Sequence, residues 1–133
     1  MTAVVELHDT TVIAIIQNAD TVVVRLSASV HRSDGRPGYD PGSCWSQVVD
    51  LTFVRGVVEE QPAELPCTLD DGQLLGTVEF DGLIPIPADL PSAIRFDARG
   101  LYGERLVIRG SGVRIVPLTE AVYVEAFPGT TRD

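Results

Sequence analysis

No lysine occurs anywhere in the 133 residues; all ten basic side chains are arginine. Schiff-base chemistry, lysine-anchored cofactors and the phosphate-binding lysine of nucleotide-binding loops are therefore excluded. Cysteine is limited to Cys44 and Cys67. They lack CxxC spacing and form no Cys/His cluster, so they read as separate thiols without a metal. No apolar run approaches the roughly 18 residues of a membrane-spanning helix. Residues 1–7 carry neither a basic region nor an uninterrupted apolar stretch, so no secretory signal is read there. The expected location is the cytoplasm, with both thiols reduced. Positive charge is scarce as well, and the formal net charge is -9. That balance repels phosphate backbones, so neither nucleic acid nor a membrane is expected as a partner. HExxH, GxSxG and calcium-loop patterns are missing, and the reading assigns no cofactor, no metal and no catalytic residue.

What the chain has in quantity is β-branched side chains: Val, Ile and Thr make up 36 residues. Branching at Cβ costs rotamers against a helical turn and suits a pleated surface. The expected fold is a single all-β domain over residues 1–133, an antiparallel β-sandwich or flattened β-barrel of about eight to ten strands. Residues 4–7 form a short strand ended by His8-Asp9. Residues 11–17 and 21–31 then make a hairpin through a three-residue loop, with Ile16 opposite Val22 and Ala14 opposite Val24. Asp70-Asp71-Gly72 reads as a turn before a strand over residues 73–80. Pro85, Pro87 and Pro91 confine their segment to an edge, because proline cannot donate to a central ladder. Residues 93–118 form a second hairpin. A loop of Tyr102-Gly103-Glu104 would set Asp97 opposite Arg109 and Phe96 opposite Gly110, and a change of apolar phase predicts a bulge near Ser111.

Charge is unevenly spread. No basic residue lies between Arg55 and Arg95, whereas Glu59, Glu60, Glu64, Asp70, Asp71, Glu79, Asp81 and Asp89 do. The next stretch carries Arg95, Arg99, Arg105, Arg109 and Arg114 against Asp97 and Glu104. The acidic block either folds against this basic hairpin, faces a basic partner, or only keeps the surface solvated. Glu59, Glu60, Asp70 and Asp71 are its candidate partner residues. A second candidate region gathers His8 and Asp9 with His31, Arg36, Tyr39, Asp40 and Trp45, along the Gly/Pro-rich loop of residues 32–45. Long loops are enriched in binding function. Cys44 with one of the two histidines would make a nucleophile and base, although no spacing supports it. Residues 123–128 read as a closing strand.

Leu7-His8-Asp9, the Asp40-Pro41-Gly42 loop and the ending Tyr123-Val124-Glu125-Ala126-Phe127-Pro128 resemble segments of small bacterial all-β proteins that carry no known active-site pattern. In size, charge and expected compartment the chain is similar to small acidic immunity proteins, which implies a basic toxin-like partner. The resulting expectation is a non-enzymatic acidic interaction module that binds a basic protein or itself. The alternative is a small-ligand-binding barrel or hydrolase with its site near His8, His31 and the loop.

Overall fold

Alternation of apolar and polar residues extends through most of the chain, and each alternating run becomes a strand of one antiparallel sheet. The computed structural model describes residues 2–130. In chain order the strands are β1 (Thr2–Gln17), β2 (Thr21–Ser33), β3 (Gly42–Val54), β4 (Val57–Glu60), β5 (Cys67–Leu75), β6 (Phe80–Asp81), β7 (Leu83–Pro85), β8 (Ala88–Leu90), β9 (Ile94–Gly100), β10 (Arg105–Gly110), β11 (Gly112–Pro117) and β12 (Val122–Phe127). The fold is all-β, as the composition implies, with twelve strands among the described residues. The excess over the expected number comes from the two- and three-residue pieces β6, β7 and β8. Among the described residues no helix is long and apolar enough to cross a membrane.

The sheet runs β4-β10-β9-β5-β1-β2-β3-β11-β8 and is curled. Its two sides meet in one stretch of chain. β10 pairs with β9, β11 pairs with β3, and only Ser111 separates β10 from β11. Residues 105–117 are thus a single bent strand that passes from one side of the curl to the other. The expected bulge lies at this bend, where the Ser111 amide donates to the Val54 carbonyl at 2.8 Å. The inward residues of both sides fill the space between. Phe53 from β3 and Phe96 from β9, both fully buried, meet with ring centroids 6.2 Å apart, in a core that also holds Leu26, Leu51, Ile108 and Ile115.

Five local expectations are corrected. The loop of the second hairpin is Leu101-Tyr102-Gly103, closed by the Gly100 amide on the Glu104 carbonyl at 2.9 Å, with Gly103 in the left-handed region at φ 85°. It lies one residue earlier than expected, so every partner moves by two: Phe96 faces Ile108, Asp97 faces Val107 and Gly110 faces Ile94. A shift of two keeps each side chain on its expected face. In the first hairpin the Asn18 amide closes onto Thr21, leaving a two-residue turn, so Ile16 faces Val23 and Ala14 faces Arg25. An irregularity between Val12 and Ala14 restores the expected register beyond it, at Val12 opposite Leu26. His8-Asp9 does not end a strand but bulges out of continuous β1, and Asp70-Asp71-Gly72 is not a turn but part of β5. Finally, β2 and β3 reach into the loop from both ends, so only residues 34–41 remain irregular. The proline-rich segment does lie where expected, with β7 added beside β1 and β8 at the outer edge beside β11.

Candidate functional site

Two bulges bring the most charged cluster together. In β1 the pairing with β2 is interrupted between Glu6 and Thr11, and Asp9 takes a positive φ of 69°. Thr10 makes this possible. Its hydroxyl donates to the Glu6 carbonyl at 2.6 Å and accepts the Ser29 amide at 3.1 Å, filling the gap in the ladder with a side chain. His8 and Asp9 are pushed outward and exposed. In β5 a register shift between Leu69 and Asp71 lets two successive carboxylates, Asp70 and Asp71, face solvent. The strands approach closely here because Gly72 has no Cβ; one would lie 2.9 Å from a Leu7 methyl and 3.1 Å from the Ala98 Cβ.

The bulges meet at His8. Its Nδ1 lies 2.9 Å from the Asp70 carbonyl oxygen and 3.6 Å from the Asp70 carboxylate, and its Nε2 lies 3.6 Å from the Asp9 carboxylate. The Asp70 carbonyl contact, followed by the charge of Asp9, raises the His8 pKa above its ordinary value. Asp81 stands further along, opposite Gln73 of β5, where β6 pairs with β5 and the Gly82 amide donates to the Gly72 carbonyl. The structure therefore joins His8 and Asp9 with Asp70 and Asp71, residues that the sequence assigned to two different regions.

Glu59 and Glu60 are placed elsewhere. Glu59 contacts the Arg109 guanidinium at 2.9 Å, Glu60 contacts Arg105 at 3.8 Å, and Asp97 contacts Arg105 at 3.0 Å. The basic strand β10 lies between β4 and β9, so its arginines neutralise carboxylates on either side. That part of the acidic block folds against the basic hairpin. Among the described residues, Asp71, Glu79 and Asp81 have no cationic group within ion-pair distance.

His31 lies apart from His8. It is opposite Val4, four residues before His8 along β1, or roughly 13 Å at about 3.3 Å per residue. On the outer face of three neighbouring strands, Glu6, His31 and Cys44 make a line. Glu6 Oε2 is hydrogen-bonded to His31 Nε2, and the Cys44 sulfur lies 3.7 Å from His31 Nδ1. Phe127 from β12 packs edge-on against the imidazole at 4.9 Å, leaving His31 only 5% exposed. Burial first, and then the charges of Glu125 and Glu6, raise the Cys44 pKa. The two ring nitrogens point to opposite sides, so Glu6 and Cys44 cannot converge on one ion with His31. No group of three His, Cys, Asp or Glu residues among those described is arranged to hold a metal. Sequence reasoning considered Cys44 with His31 but missed Glu6. The usable signal was the alternation of Val5 and Leu7 inward with Glu6 outward, which puts Glu6 diagonally beside His31 once the strands pair.

The loop residues use their polar groups on themselves. The Asp40 carboxylate accepts the Arg36 amide at 2.6 Å, the Asp40 amide donates to the Arg36 carbonyl, and the Arg36 guanidinium stacks 4.2 Å from the Tyr39 ring centroid. Trp45 turns inward at the end of the curl, where Tyr123 meets it edge-on at 5.4 Å and Arg32 lies 4.5 Å over its ring. An open cleft of about 550 Å³ beside it is lined by Ala3, Arg32, Gln47, Ile86 and Pro117 among others. Arg36, Tyr39, Asp40 and Trp45 thus form no common site with either histidine.

Comparison of the chain with protein-family models, curated proteins and solved structures found no match.

Proposed function

We propose that this protein is a non-enzymatic binding module whose acidic surface, made by Asp9, Asp70, Asp71 and Asp81 around His8, docks a basic partner protein. The observation that carries this reading is the coincidence of two bulges from different strands at one exposed place, each turning a carboxylate outward. Bulges re-aim side chains at the cost of ladder hydrogen bonds, and here that re-aiming gathers carboxylates around a single histidine. An acidic module that neutralises a basic toxin, as the likeness to immunity proteins implies, requires such a surface. Glu59 and Glu60 are assigned instead to holding β4 onto β10.

The test is retention of a basic protein from source-cell extract by immobilised wild-type chain and by two charge-reversed forms. Asp9→Lys/Asp70→Lys/Asp71→Lys is expected to lose the partner, and Glu59→Lys/Glu60→Lys to keep it if still folded. Undiminished retention by a folded triple variant overturns the assignment.

A second reading, a small-ligand-binding barrel, is favoured by the cleft beside Trp45. Its walls are largely apolar, and Arg32 has no carboxylate within ion-pair distance among the described residues. Such a site suits a small carboxylate with an apolar body. An Arg32→Gln change would abolish that binding and leave basic-partner retention intact.

A further inference from the structure

Outside the acidic surface, the side-chain arrangement with the most chemical content is the line Glu6, His31, Cys44. We propose that Cys44 is a modification site, a thiol that His31 deprotonates for exchange with small cationic disulfides, with Glu6 as the positioning residue behind His31. The geometry has the three required parts: sulfur beside one imidazole nitrogen at 3.7 Å, carboxylate on the other nitrogen, and partial exposure of the sulfur-bearing residue. Each part comes from a different strand, and the pairing of β1, β2 and β3 fixes their spacing.

The electrophile class follows from what surrounds the sulfur. Attack on a carbonyl needs hydrogen-bond donors aimed at the developing oxyanion. Cys44 lies in β3 between β2 and β12, opposite His31 on one side and Glu125 on the other, and the groups beside its sulfur are an imidazole and carboxylates rather than a pair of aimed donors. Disulfide exchange needs no such donors, only a thiolate and a clear line to the sulfur under attack. Glu6 and Glu125 are the charged groups facing the thiol from β1 and β12, and they disfavour an anionic reagent.

The step balances. The Cys44 proton passes to His31 Nδ1, the sulfur attacks one sulfur of the disulfide, and the S–S bond of the reagent breaks. A mixed disulfide on Cys44 forms, and the leaving thiolate takes up the proton. The reagent supplies the oxidising equivalent, and its released half is the reduced product.

The test uses the full chain with Cys67→Ala, so that one thiol remains, and measures the rate of mixed-disulfide formation by intact mass with cystamine and, separately, with the anionic dithiodiglycolate. Cystamine is expected to react at least tenfold faster. His31→Asn is expected to lower the cystamine rate at pH 7 about a hundredfold or more, in the range of general-base assistance. That variant and its parent should converge as the pH is raised toward the thiol's own ionisation, a convergence that a merely structural role for His31 does not produce. If His31→Asn fails to fold, Glu6→Gln serves, with a smaller loss in the same direction. Equal rates with and without the histidine or its carboxylate, or a preference for the anionic reagent, overturn the proposal.

Discussion

At the residue scale, two side chains stand in for backbone. Thr10 satisfies the Ser29 amide and the Glu6 carbonyl inside the β1 bulge and is fully buried. Thr10→Val keeps the shape and removes the hydroxyl, leaving that amide without its acceptor. The expected loss is about 1–3 kcal/mol in denaturant unfolding, because an unmet buried polar group costs its full desolvation. Glu104 plays the same part in the Gly100–Glu104 turn, where its carboxylate accepts its own amide, the Tyr102 amide at 2.8 Å and the Cys67 thiol at 3.5 Å. The contact with its own amide, followed by that of Tyr102, lowers its pKa. A carboxylate lowered on folding contributes stability above its unfolded pKa and loses it as pH falls through the folded value. Glu104→Gln is accordingly expected to flatten the acid side of a stability-against-pH curve and to leave the neutral side almost parallel to wild type. Burial first, and then the Glu104 contact, raise the Cys67 pKa. Because Cys67 is only 3% exposed and Cys44 is partly exposed, alkylation without reductant is expected to label Cys44 in the native protein and Cys67 only after unfolding.

At the element scale, the bent strand formed by β10 and β11 carries the curl. Phe96→Ala empties the fully buried contact with Phe53 across the interior, and about 3–5 kcal/mol is the expected loss. Arg109→Ala removes an ion pair with Glu59 that lies largely in solvent, so its effect on the same unfolding curve should stay within about 1 kcal/mol. The class, the faces of the strands and the break at Ser111 were legible in the sequence, because alternation and paired glycines are local signals. The registers were less so. Moving a loop by one residue moves partners by two without changing which side chains are buried, so the apolar pattern of β9 and β10 fits either register. The site was legible in pieces only. His8, Asp9, Asp70 and Asp71 could be read as polar and exposed, but their meeting depends on β1 pairing with β5 across more than fifty residues. The turn signal of Asp70-Asp71-Gly72 was real as chemistry, and the chain spent it on a bulge.

At the scale of the whole molecule, the excess charge splits into an internal part and an outward part. β4 and β9 spend carboxylates on the arginines of β10, whereas at the β1, β5 and β6 junction Asp9 and Asp70 share His8, and Asp71 faces Arg99 of β9 without an ion pair between them. Association with a basic partner at that junction should be fastest at low ionic strength. It should slow toward about 0.15 M salt, where screening acts over about 8 Å. His8 adds a pH dependence of definite sign. Its raised pKa means that the protonated imidazole stabilises the fold below the unfolded value and loses that contribution as pH rises through the folded one. Binding runs the other way, because deprotonation removes the positive charge among the carboxylates. Association rates should therefore climb as pH rises through the His8 transition, and His8→Ala should abolish that step in stopped-flow traces. The path of the chain has one further consequence, during its own synthesis. A ribosome releases β1, β2 and β3 early, and these can pair with one another at once, but β9 acquires β10 only when residues 105–110 emerge, and β3 is completed by β11 and then by β12. Until residues 105–127 have emerged both edges stand open to other chains, so chains arrested with only residues up to 104 exposed should aggregate more than chains arrested with residues up to 127 exposed.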